Sequence, residues 1–95
     1  MDINKNKHYT NEHGMELKDF MKKFFPELWE TACYWSALKY DVRAGKKAGE
    51  ALEKDTGKRD DYINEIVEND GVEDFELILS DIHSIKKRFE AWEGE

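Results

Sequence analysis

Between Phe75 and Trp92 the side chains Phe75, Ile78, Ile82, Ile85, Phe89 and Trp92 recur in steps of three and four. This is the a/d spacing of a helix held over three heptads. A strand cannot keep that set together, because strand side chains change face at every residue. The spacing predicts a helix over 72–92 with a continuous apolar seam. Such a seam must be covered by other helices of the chain or by a second copy of it.

The rest of the chain supplies helical faces. Leu17, Phe20, Met21 and Phe24 form a one-sided stripe over 16–25. Phe25-Pro26 ends it, since the residue before proline is pushed out of the α region, and Pro26 suits the first turn of the next helix. That helix is predicted over 26–44, with Leu28, Ala32, Trp35, Leu38 and Val42 on one face and Trp29, Cys33 and Tyr40 on another. A helix apolar on two sides takes a central place, and Gly45 suits a left-handed cap behind it. Residues 46–57 stay ambiguous because Gly49 and Gly57 weaken a helix there. Tyr62, Ile63, Ile66 and Val67 mark a helix over 58–69, stopped by Asn69-Asp70-Gly71. Strand signals are lacking. The fold class expected is all-α, one domain over 1–95 with about four helices, and residues 1–13 as a flexible or extended arm. With 95 residues the core is thin, so a homo-oligomer, most simply a dimer, is expected through Phe75, Ile82, Ile85 and Phe89.

Three Trp, four Tyr and five Phe argue for a folded state. A net charge of −7 argues against general binding to nucleic-acid backbones, which needs a cationic surface. Cys33 stands alone, so no intrachain disulfide forms and a reducing compartment is expected. The start, Met1-Asp2-Ile3-Asn4-Lys5, lacks the apolar run of a signal peptide, and no stretch approaches the roughly 20 apolar residues of a membrane helix. The expectation is a cytoplasmic protein with no membrane contact.

Charge is distributed unevenly. Lys39, Arg43, Lys46, Lys47, Lys54, Lys58 and Arg59 are followed, from Asp60 to Asp81, by nine acidic residues and no Lys or Arg. Lys39 and Arg43 are four apart and share a helix face, and Lys46 and Lys47 follow a glycine turn that can fold them back beside it. Cations converging at a turn suit phosphate, Arg as a fork and Lys as a point charge. The competing use is structural, since cations in the last turn of a helix complement its negative dipole end.

His8-Tyr9, Glu16 with Asp19, and the run Ala37-Leu38-Lys39-Tyr40-Asp41-Val42-Arg43-Ala44-Gly45-Lys46-Lys47 resemble the SaV-like family of small phage and prophage proteins. The resemblance covers about residues 8–65. Members carry an HY pair before a helix ending in a similar signature, and continue with an acidic-Leu-Lys-Lys-Ala helix where this chain has Asp60-Asp61-Tyr62-Ile63-Asn64. Some are described as phage nucleotide kinases and many have no assigned function. The resemblance implies a phage origin and nucleotide contact through Lys39, Arg43, Lys46 and Lys47, with His8 and Tyr9 as further ligand-binding candidates. It transfers no kinase centre, because a Walker A loop needs two spaced glycines before Lys-Ser or Lys-Thr and this chain has none.

The leading reading is therefore a non-catalytic protein, without metal or cofactor, that oligomerises and binds a nucleotide-like or other phosphate-bearing ligand, with counter-defence as its use. Two other classes stay open. Asp60, Asp61, Glu65, Glu68, Asp70, Glu73, Asp74 and Glu76 could mimic DNA and engage a host or defence protein, or serve only solubility. Glu27 with Glu30, and Glu65 with Glu68, could hold Mg²⁺ in a nucleotide-processing enzyme, or form solvated helix faces. His8, His13 and His83 have no standard metal-ligand spacing, and Cys33 reads as a small buried hydrophobe.

Overall fold

The computed structural model describes residues 7–46, 51–71 and 74–94. A short 3-10 turn, Lys7–Tyr9, is followed by four helices: α1 (Leu17–Phe24), α2 (Pro26–Arg43), α3 (Leu52–Asp70) and α4 (Phe75–Ala91). Part of the expected arm is thereby ordered. Thr10 bridges to Glu16, and the Asn11 side chain accepts from the backbone N–H groups of His13 and Met15 at 2.9 and 3.0 Å.

The helix ends follow local chemistry. Phe25, held before proline, has φ −137° and ψ 58° and separates α1 from α2. Gly45 and Gly71 take φ of +76° and +72° just past α2 and α3, a conformation that strains any residue with a Cβ. Helix α4 starts at Phe75, after the position expected, because the Asp74 carboxylate accepts from the N–H of Leu77 at 2.9 Å and caps it there.

Helix α2 is central and touches the other three. Its buried row is Cys33, Ala37 and Asp41, in steps of four, with Trp29 half-buried above it. Of the two faces expected to be packed, the first is covered only in part: Leu28 and Trp35 are about three-fifths exposed, whereas Leu38 packs against the core. Small residues win the inner row because they let α3 and α4 approach closely, delivering Ile63, Ile66, Ile78 and Ile82 into the same core. The α4 seam divides. Ile78 and Ile82 are fully buried in the chain's own core, whereas Ile85, Phe89 and Trp92 are 43–61% exposed. Ile82 therefore has no surface to offer a second copy, which corrects its assignment to an oligomer interface.

Helix α3 also differs from expectation, running unbroken through Gly57 from Leu52. Its first turns are held by tertiary contacts that periodicity cannot register, above all the fully buried Asp55. Nothing lies within 4 Å of a Cβ placed on Gly57. Gly57→Ala should therefore stabilise the fold by about 0.5–1 kcal/mol, read as a higher urea midpoint at unchanged slope. Ile82→Ala should cost about 2–5 kcal/mol in the same assay.

Candidate functional site

The predicted cationic block does not converge on one point. The Lys39 ammonium lies back along α2, 5.7 Å from the Trp35 ring centroid. Arg43 Nε is 3.3 Å from Oδ1 of the buried Asp55. Lys46 reaches the end of α4 and pairs with Glu90 at 3.3 Å. Lys47 lies outside the described residues. Arg43 and Lys46 thus join the end of α2 to α3 and to α4, each through a different partner.

Asp41, in the middle of the block, is 1% exposed. Its Oδ1 accepts from Arg59 Nη1 of α3 at 2.9 Å, and its Oδ2 lies 2.7 Å from Nδ1 of His83 on α4. Arg59 Nε also donates to Asp60 at 2.9 Å. Three helices meet on one carboxylate. The pairing of Asp41 with Arg59 and His83 was not visible in the sequence, because it spans 18 and 42 positions.

What the structure does gather is a set around Tyr40. Its ring lies near-parallel to Tyr62, at 13° with centroids 6.0 Å apart. The Arg43 guanidinium and the Lys58 ammonium each lie 5.5 Å from its centroid, within cation–π range. Beside it opens a pocket of about 410 Å³, lined by Lys18, Trp29, Tyr40, Lys58, Asp61, Tyr62 and Glu65. Lys58 has no carboxylate within ion-pair distance among the described residues. Three buried side-chain polar atoms, Trp29 Nε1, Asp55 Oδ1 and Glu65 Oε2, lack an ordinary neutral hydrogen-bond partner, and Trp29 and Glu65 line this pocket. Each of the two carboxylate oxygens has a cation at 3.3 or 3.0 Å, so of these three buried atoms Trp29 Nε1 is the one without a polar partner. The sequence signal for this site was weak: Lys58 and Tyr62 are four apart on α3, but only tertiary packing brings them to Tyr40.

Glu65 is clamped by Lys18 and Lys22 of α1, both at 3.0 Å. Burial alone would raise its carboxyl, but the hydrogen bonds from Lys22 and Lys18 outweigh it and hold the group below the usual 4.5. A carboxylate so paired is not available to Mg²⁺, and among the described residues no three His, Cys, Asp or Glu side chains converge as a metal site. The acidic row is thinned in the same way, with Asp60, Glu65 and Asp74 engaged within the chain and Glu73 outside the described residues. Burial, with a smaller push from Glu65, raises the Cys33 thiol to about 11, the mark of an inert core cysteine.

His8 and Tyr9 lie elsewhere. They line a groove of about 540 Å³ along α1 with Met15, Leu17, Phe20 and Phe24, and none of Lys39, Arg43 or Lys46 borders it.

The comparisons with known proteins fit the phage signature of the Lys39–Lys46 run. Residues 3–64 match a family described as a protein of unknown function, DUF3310. The chain belongs to this family. Over its whole length it is 40% identical to the SaV protein of Lactococcus phage p2, and 38% identical to the SaV protein of Lactococcus phage SK1, covering 79% of each. No solved structure matches it. Among the described residues no helix is long and apolar enough to cross a membrane.

Asp41→Asn should destabilise the fold by about 1–3 kcal/mol, since it removes one of the two carboxylates that a largely buried Arg59 holds. Acid should act first on α1. A carboxyl whose folded pKa lies below 4.5 contributes stability that is complete above 4.5 and is lost as pH falls through the folded value. Amide exchange of α1 should accelerate over that window, and Glu65→Gln should remove the pH dependence.

Proposed function

We propose that this family member is a non-catalytic binding protein for a phosphate-bearing ligand, held above Tyr40 by Lys58 and Arg43. The observation that carries this reading is the gathering of two cations, from α2 and α3, at equal distance from one ring. Asp55 balances Arg43, whereas Lys58 has no carboxylate at ion-pair distance among the described residues, which makes it the first point of attraction. The site shares Arg43 with the cationic block seen in the sequence, but replaces Lys39 and Lys46 with Lys58. Sequestering a phosphate-bearing signal during counter-defence is a use consistent with phage relatives of this kind.

Lys58→Ala should weaken binding of a phosphate-bearing ligand by about 1.5–3 kcal/mol, the range for charge-assisted hydrogen bonds. Its melting temperature should fall only slightly, because among the described residues the side chain makes no ion pair and gives up only its contact with the Tyr40 ring. Calorimetry with pyrophosphate and a nucleotide panel, beside thermal melts, measures both. A wild-type chain that binds none of them removes the reading.

Self-association is a second reading, favoured by the exposed half of the α4 seam. Ile85, Phe89 and Trp92 are 43%, 52% and 61% exposed in a row, with Phe75 half-buried at the other end. Light scattering should give a mass above 11.3 kDa for the wild type and a monomer for Phe89→Glu.

A further inference from the structure

We infer that the groove along α1 is a socket for the end of α4 of a second copy of this chain, the two copies exchanging helix ends reciprocally; this rests on the self-association reading given above and not on the phosphate site. Area points to a second copy first. A folded monomer of 11.3 kDa exposes roughly 5,700 Å² of surface. This chain exposes 7417 Å², an excess of about 1,700 Å². Stable complexes of standard size bury about 800 Å² on each partner, and obligate homodimers about 1,000–2,500 Å². The excess is on the scale that an obligate homodimer covers.

Two apolar surfaces of opposite shape stand on the exterior. Tyr9, Met15, Leu17, Phe20 and Phe24 line the groove, a hollow of about 540 Å³, and all five are 48–63% exposed. The end of α4 is a ridge, with Ile85 and Phe89 four apart on one face and 43% and 52% exposed. A helix laid by its apolar face into such a groove, anchored at i and i+4, is a recurrent mode of recognition. Charge selects the same pairing. At roughly 100° per residue, Lys86 and Arg88 fall on either side of the Ile85–Phe89 row. Laid against a copy of itself, that ridge would bring like charges together. The groove carries the opposite sign. Glu16 and Asp19 are on its lining with a single lysine among the described residues, Lys23, since Lys18 and Lys22 of the same helix are turned to Glu65. A groove and a ridge on each copy, met by the ridge and groove of the other, close a two-fold pair through two equal contacts.

The test is light scattering on the full chain, on two variants and on their mixture. The wild type should have about twice the 11.3 kDa of one chain. Phe20→Glu, in the groove, and Phe89→Glu, on the ridge, should each be monomeric with helical circular dichroism retained, because both side chains lie outside the core. Mixed one to one, the two variants should form a heterodimer, since the intact groove of one meets the intact ridge of the other. Phe24→Glu repeats the groove arm should Phe20→Glu lose its helicity. If the groove variants stay dimeric while Phe89→Glu does not, the socket inference fails and self-association through α4 alone stands. If Phe89→Glu stays dimeric, or the mixture of two monomeric variants stays monomeric, the pairing of groove with ridge is overturned. A monomeric wild type overturns both the socket and the self-association reading.

Discussion

The Asp41 carboxylate is the point on which the arrangement of α2, α3 and α4 depends. A charge removed from water is tolerated only when its partners are close and well aimed, and Asp41 has both oxygens occupied, by Arg59 and by His83. The apolar contacts around it come largely from isoleucines, which pack acceptably over a range of helix slides and rotations. The carboxylate does not share that tolerance. Moving α3 by one residue along α2 would swing Arg59 away and leave the charge stranded. The hydrophobic core brings the helices together, and the ion pair selects one register among those the core would accept.

This division also explains how much of the molecule could be read from its residues. Helix α1, the break at Phe25-Pro26, the caps at Gly45 and Gly71 and the inner half of the α4 seam are local events, legible from spacing and turn chemistry. The inward row of α2 was legible only at Cys33, because Ala37 is small and Asp41 charged, whereas the large side chains that draw attention, Leu28 and Trp35, lie outside. The cationic block misled for a related reason. Spacing shows that Lys39 and Arg43 share a face, but the acids that meet the block lie far along the chain, Asp55 on α3 and Glu90 at the end of α4. The candidate pocket was legible only in part: Tyr40 and Arg43 stood in the recognised run, while Trp29, Lys58 and Tyr62 reach it only after folding.

The small core leaves much of the aromatic surface outside. Tyr9, Phe20, Phe24, Phe25 and Leu28 are all 46–60% exposed, and they cluster along α1 and the start of α2. Exposed apolar area on this scale is usual where a chain meets something else. It also means that stability comes chiefly from α2, α3 and α4, since α1 contributes no fully buried side chain.

Helix α1 is therefore fastened differently from the rest: one acidic residue of α3, gripped by two lysines at 3.0 Å, ties it down. Contacts of that kind weaken as dissolved ions screen them, over a distance of about 8 Å at physiological ionic strength, whereas apolar packing does not. Lys18 of this same helix forms one wall of the Tyr40 pocket, and the groove of His8 and Tyr9 runs along it. Rising ionic strength should therefore loosen α1, and with it the walls of both cavities, before it loosens the packing of α2, α3 and α4.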